Sequence, residues 1–206
     1  MKVLLIDDHP MVNSGLASYL EETGRFTVCG QVNTLAQAKS FFEDAIQTKK
    51  DIPSLIILDI MLGEENGLDF LNYLEEYCQV NQLSKPHVLV CSALEEPFCI
   101  QNALKLGASG FITKSGSKEE LINAIDSIQR GNIHISEEHS VKLVKSYDLY
   151  TKFTKREMEI FNLIKRNKSN KQIASELKLN IRTVENHVSN IYFKTGTSNR
   201  QELMER

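Results

Sequence analysis

The chain has 206 residues, 41% of them hydrophobic and 25% charged, with a formal net charge of −3. That balance fits a globular protein of one large or two small domains. It excludes a membrane-spanning chain, because no apolar run approaches the ~20 residues a bilayer requires, and one lysine followed by a strand-like run does not read as a signal peptide.

The net charge conceals a division. Residues 1–131 carry 10 Lys and Arg against 18 Asp and Glu, a net of −8, whereas residues 151–206 carry 12 against 6, a net of +6. An acidic front and a basic tail point to two domains with different partners, the basic one a candidate for nucleic acid. Cys29, Cys78, Cys91 and Cys99 show no paired or metal-ligand spacing and read as small buried hydrophobes of a reducing compartment.

Taken in order, short apolar runs alternate with amphipathic stretches: KVLLI, FTVCGQV, SLIILD, HVLVC and GFIT. Each has the length and the Val, Ile and Phe content of a strand. Between them, Val12, Leu16, Tyr19 and Leu20, then Leu68, Leu71 and Leu74, then Ile100, Ala103 and Leu104, then Leu121, Ala124, Ile125 and Ile128 recur at helical spacing. Thr34 with Gln37 and Ser117 with Glu120 predict helix starts, and Gly107 and Gly131 predict helix ends. Five strand–helix units in series predict a doubly wound, five-stranded parallel sheet over residues 1–131, covered by helices on both faces. Residues 132–150 read as a linker with a short helix around Val141 to Val144. From Thr154 only helices follow, with starts at Thr154 with Glu157, Ser169 with Gln172, Asn180, and Ser198 with Gln201. Met158, Ile160, Phe161 and Ile164, then Ile173, Leu177 and Leu179, then Val184, Val188 and Ile191 supply their apolar faces, so 151–206 is a small four-helix domain.

Two adjacent aspartates, Asp7 and Asp8, close the first strand; Asp59 closes the third, Ser92 the fourth and Lys114 the fifth. An isolated Asp-Asp pair is ordinarily a solvated turn. In an open parallel sheet, however, ligands bind beyond the carboxyl ends of the strands, so all five side chains converge on one edge. Gathered carboxylates need a cation, and oxygen ligands favour a hard ion such as Mg²⁺. A lysine and a hydroxyl beside them suit phosphoryl oxygens, so the chemistry that fits is phosphoryl transfer onto a carboxylate. His9, next to the pair, has no second His or Cys with which to form a metal-ligand set.

D-D after the first strand, D-I-M-L-G-E-E-N-G after the third, S-A after the fourth and G-A-S-G-F-I-T-K at the fifth together resemble the receiver domain of two-component response regulators. The resemblance implies that Asp59 is the phosphoacceptor. It implies that Asp8, Asp59 and the backbone carbonyl of Met61 bind Mg²⁺, with Asp7 acting through water. Ser92 is then the hydroxyl that binds the phosphoryl group, Lys114 its ion pair and Phe111 the coupled aromatic. Gly63 and Ser115 depart from the family, which often has proline at both places. A phosphatase of the haloacid-dehalogenase type is excluded by Met61, which stands where that chemistry needs an aspartate.

Residues 153–206 carry T-x-R-E, S-N-K-Q-I-A-x-x-L and R-T-V-x-N-H-V-S-N-I-x-x-K-T-G-x-x-N-R, and resemble the DNA-binding domain of the LuxR/NarL/FixJ class. A short helix from Ser169, a tight turn at Leu179–Asn180 and a helix from Ile181 to Thr195 predict a helix-turn-helix. With Val184, Val188 and Ile191 inward, Thr183, Glu185, Asn186, His187, Asn190 and Lys194 are the DNA-facing candidates, and Lys168, Asn170, Lys171 and Arg182 the candidates for phosphates. Glu185 is out of place there, because many relatives have lysine at that position.

The expectation is therefore a cytoplasmic response regulator, phosphorylated by a sensor histidine kinase. It binds double-stranded promoter DNA, dimerises when phosphorylated, has no membrane partner, and is no enzyme beyond accepting and losing its own phosphoryl group. The alternative is an output domain that works through a protein partner, or a receiver that works without phosphorylation.

Overall fold

The computed structural model describes residues 1–150 and 153–205, the side chains of 145–150 and 205 excepted. The chain forms two units, Met1–Leu143 and Val144–Arg206.

The first unit runs β1 (Lys2–Ile6), α1 (Pro10–Glu22), β2 (Thr27–Val32), α2 (Leu35–Thr48), β3 (Leu55–Leu58), β4 (Met61–Leu62), β5 (Glu65–Asn66), α3 (Asp69–Val80), β6 (His87–Ser92), α4 (Pro97–Lys105), β7 (Gly110–Thr113), α5 (Lys118–Gln129) and β8 (His134–Ile135), then enters α6 (Glu137–Tyr150). The sheet order is β2-β1-β3-β6-β7-β8, and every pairing in it is parallel. Alternate residues of each strand feed opposite faces. Leu4, Ile6, Ile56, Leu58, Val88, Val90 and Phe111 join one core with residues of α2, α3 and α4. Val3, Leu5, Leu55, Ile57, Leu89, Cys91 and Ile112 join a second with residues of α1 and α5. Both faces are therefore dry, which is why the strands read as unbroken apolar runs.

The sheet has six strands rather than five. The added strand, β8, lies in the segment read as linker and pairs Gly110 with His134 and Phe111 with Ile135. Two residues are too few to show a strand pattern. The register depends on a glycine, because a Cβ at Gly110 would lie 2.9 Å from the His134 carbonyl oxygen. The linker helix is also longer than expected, spanning Glu137–Tyr150, and its start belongs to the first unit. The expected 150/151 boundary abuts residues 151 and 152, outside the described residues.

A second unforeseen element is the antiparallel hairpin β4–β5, in which Met61 pairs with Asn66 and Leu62 with Glu65. Gly63 turns it with φ +63°. Proline, fixed near −65°, cannot adopt that angle, so the departure from the family pattern at Gly63 has a structural cause.

The second unit contains α7 (Lys155–Lys165), α8 (Asn170–Glu176), α9 (Ile181–Thr195) and α10 (Arg200–Glu205). Ile160, Phe161, Ile164, Ile173, Val184, Val188, Ile191 and Leu203 form its core. Reciprocal capping boxes close the starts of α7, through Thr154 and Glu157, and α8, through Ser169 and Gln172. The start of α10 lies one residue later than predicted: Asn199 Oδ1 accepts the Glu202 N–H at 2.9 Å, and Glu202 Oε2 accepts the Ser198 N–H at 2.8 Å.

Candidate functional site

The carboxyl end of the sheet brings the predicted acidic and basic side chains together. Parallel pairing of β1 with β3 places Ile6 beside Leu58, so the residues that follow, Asp7 and Asp59, leave the sheet side by side. Both are buried, 4% and 2% exposed. The Lys114 amine bridges them, 2.7 Å from Asp7 Oδ2 and 2.7 Å from Asp59 Oδ2. Burial disfavours its charge, but hydrogen bonds and attraction from Asp59 and Asp7 prevail and hold its pKa above the ordinary lysine value. Lys114 is thus a fixed cation across the physiological range.

One amine does not neutralise three carboxylates. Asp7, Asp8, His9 and Asp59 each present a ligand atom, all within 4.8 Å of one another. Asp59 Oδ1 is buried and has no hydrogen-bond partner among the described residues. A buried carboxylate oxygen without a donor is costly, and a divalent cation is a natural partner for it. The donor set therefore fits a hard metal ion.

The surrounding chain holds this cluster in place. Asn13, buried in α1, donates through Nδ2 to the Asp7 carbonyl at 2.8 Å. The Gly63 N–H donates to Asp8 Oδ2 at 2.9 Å, a bond proline cannot make. The His9 backbone N–H donates to Asp7 Oδ1 at 2.8 Å, and its ring Nδ1 lies 2.7 Å from Asp8 Oδ1. Sequence reasoning missed Asn13 and the Gly63 N–H, and found no partner set for His9. A polar residue in an otherwise apolar helix face was the one signal available for Asn13.

Met61, two residues beyond Asp59, lies in β4 with its side chain partly exposed. Ser92 ends β6 fully buried; its Oγ accepts the Leu94 N–H at 3.3 Å, and its carbonyl accepts the Lys114 N–H at 3.0 Å. The two strand ends that carry the hydroxyl and the lysine are therefore fastened together. Phe111, three residues before Lys114, is fully buried. Cys91, beside Ser92, is no competing nucleophile, because burial pushes its thiol up to about 12. No disulfide joins any of the four cysteines.

In the second unit, α8, a turn and α9 form the predicted helix-turn-helix. Arg182, Glu185, Asn186 and Asn190 lie exposed on α9, with Ser189 among them, and Lys171 is exposed on α8. Thr183 and His187 are half-buried. Lys168 is 3.6 Å from Glu176, and Asn170 Oδ1 accepts from Arg200 at 3.2 Å. Lys194 is directed inside the unit, 2.6 Å from Glu157, which is itself 3% exposed. Burial acts to raise the Glu157 carboxyl, but the Lys194 amine and the Thr154 hydrogen bonds outweigh it and hold the pKa below the usual carboxylate value. That pair fastens the end of α9 to the start of α7, a structural task that its place on the helix did not reveal. Phe193 is 88% exposed on α9 and was also not foreseen.

Among the described residues, no helix is long and apolar enough to cross a membrane.

Two family profiles match the chain. The response regulator receiver domain covers residues 3–126, and the luxR family of bacterial regulatory proteins covers residues 151–206. The response regulator protein VraR of Staphylococcus aureus (strain NCTC 8325 / PS 47) is 32% identical over 208 aligned positions, which take in 99% of this chain and 94% of VraR. Among solved structures, RcsB of Salmonella enterica serovar Typhimurium, bound to promoter DNA with the phosphomimetic BeF3-, superimposes with a TM-score of 0.65 at 21% identity, covering 100% of this chain and 96% of that one. Two RcsB dimers bound to two parallel DNAs give a TM-score of 0.64 at 22% identity, with the same coverage.

Proposed function

This chain belongs to the response regulators that join a receiver domain to a LuxR-type helix-turn-helix, and from that membership we propose that it takes a phosphoryl group onto Asp59 from a sensor histidine kinase and answers by changing its hold on promoter DNA. The observation that carries the reading is the Lys114 amine bridging Asp59 and Asp7, with Asp59 Oδ1 buried and unpartnered beside it.

A carboxylate oxygen of Asp59 attacks phosphorus as the bond to the kinase's phosphohistidine nitrogen breaks, and the imidazole leaves with the electron pair. Asp7, Asp8, Asp59 and the Met61 carbonyl are the groups that would hold Mg²⁺, which when bound neutralises the charge developing on the transferring oxygens. Lys114 exchanges its contact with Asp59 Oδ2 for a phosphoryl oxygen. Ser92 Oγ, now accepting from Leu94, turns its own O–H toward another. No further chemistry is assigned: the chain accepts the group, holds it and loses it to water.

The phosphorylated chain acts as a homodimer on double-stranded DNA in the cytoplasm. Arg182, Asn186, Asn190 and Lys171, exposed on α8 and α9, are the contacts we assign to it, with Thr183 and His187 at the edge of that face. The dimers of RcsB on DNA support this mode of action. The deciding experiment is titration of double-stranded DNA by the full chain with Mg²⁺, with and without beryllofluoride, across a salt series. Tighter binding with beryllofluoride is the expected result. No binding in either state moves the output to a protein partner, and binding indifferent to beryllofluoride separates the tail from the receiver.

Glu185 supplies the second prediction from this face. A carboxylate facing phosphates repels them, so Glu185→Lys is expected to tighten non-specific DNA binding. The slope of log K against log salt should steepen by about 0.9 for each phosphate the new lysine engages. Identical affinity and slope in the two proteins remove Glu185 from the interface.

A further inference from the structure

We infer that His139, at the start of the linker helix, is a positioning residue that seals Phe111 and ties the linker to the state of Asp59. The inference rests on the phosphoacceptor reading above and extends it to residues that reading does not use.

His139 lies in α6, two residues after the helix begins, and is only 3% exposed. Its ring meets Phe111 edge to face, with centroids 5.8 Å apart. Ser136 locks it from the other side: Nδ1 lies 2.7 Å from Ser136 Oγ, and the His139 backbone N–H donates to the same oxygen at 3.3 Å. Nε2 is buried with no hydrogen-bond partner among the described residues. A buried nitrogen without a partner is unfavourable, and an apolar ring of similar size would avoid it. The seal is therefore weaker than the space allows, which suits a contact that must open.

The connection to the site runs along β7. Phe111 and Lys114 are three residues apart, and β7 is paired with β6 up to Ser92 and Thr113. The sealed arrangement coexists with the Lys114 amine seated directly on Asp59 Oδ2. A phosphoryl group there displaces the amine and draws Ser92, so the ends of β6 and β7 shift together and the shift reaches Phe111. The linker is attached to this same edge. Ile135 pairs with Phe111, Leu143 packs on the core that contains Phe111, and Lys142 lies 3.7 Å from Glu95 in the loop after Ser92. Freeing Phe111 thus loosens the first turns of the helix whose chain continues toward the DNA-binding unit.

Coupling is reciprocal: if occupation of Asp59 opens the seal, weakening the seal favours occupation. The test uses the full chain with Mg²⁺ and beryllofluoride, measuring beryllofluoride affinity by calorimetry and amide exchange over residues 136–143. Wild type is expected to lose protection there on binding. His139→Ala is expected to lack that protection from the start and to bind beryllofluoride about fivefold more tightly or better. His139→Phe keeps the ring and removes the unpartnered nitrogen, so it is expected to bind more weakly than wild type. A merely structural histidine does not move affinity in opposite directions, and should one variant fail to fold, the other decides. Wild-type affinity in every folded variant, with an unchanged exchange response, overturns the inference alone. No beryllofluoride binding by wild type overturns the phosphoacceptor reading and this inference with it.

Discussion

Replacing Asp59 by alanine is expected to abolish covalent phosphorylation, whether the donor is a histidine kinase or acetyl phosphate. Among the described residues, the substitution removes the one carboxylate that both touches Lys114 and leaves a buried oxygen unpartnered. The protein should remain folded, because Lys114 keeps Asp7 at 2.7 Å. Removing one of several crowded carboxylates also lowers their mutual repulsion. The melting temperature is therefore expected to hold or rise, which makes a blank labelling result interpretable. Intact-mass measurement after incubation with Mg²⁺ and donor checks both parts. A stoichiometric phosphoryl adduct on the alanine variant would place the acceptor elsewhere.

Gly67→Ala is expected to have the largest effect on stability. A Cβ at residue 67 would lie 1.9 Å from the Asp59 carbonyl oxygen and 3.3 Å from Ile60 Cα. Both are backbone atoms, so no side chain can move aside. The Gly67 N–H already donates to the Ile60 carbonyl at 2.7 Å, which fixes the approach. Forced separation strains the turn that carries Asp59 and costs about 3 kcal/mol. The expected fall in melting temperature is about 6–12 °C, with weaker Mg²⁺ binding because Asp59 moves with its carbonyl. A thermal melt within about 1 °C of wild type, on the same scale, shows that the turn gives way without cost.

Most of this architecture was legible because burial on both faces of the sheet leaves a coarse mark: five strands read as continuous apolar runs, and all five are strands. The sixth left no such mark, since β8 is two residues long and owes its register to Gly110 in another strand. The cluster of Asp7, Asp8, Asp59 and Lys114 was legible through topology, which carries every strand end to one edge. What held them there was not: Asn13 and Gly63 act through a side-chain amide and a backbone N–H, whose partners are chosen by geometry. In the helical unit, periodicity set the buried face of α9 correctly but cannot distinguish an outward lysine from one reaching back to a buried glutamate. Lys194 is the second kind. Likewise Ser198 and Asn199 are both competent caps, and only the fit of α10 selects Asn199.

The two units are consecutive in the chain, and among the described residues every strand of the sheet comes from the first. This has a consequence for synthesis on the ribosome. Once residue 143 is available, every strand of the sheet exists, from the β2-β1-β3 group to the closing β8. Translating residues 144–206 at ~5–20 residues per second takes roughly 3–13 s. Small mixed domains fold within milliseconds to seconds. The acidic unit can therefore complete its fold while the basic segment is still emerging, so the chain's two opposite charges need not meet as unfolded polymer.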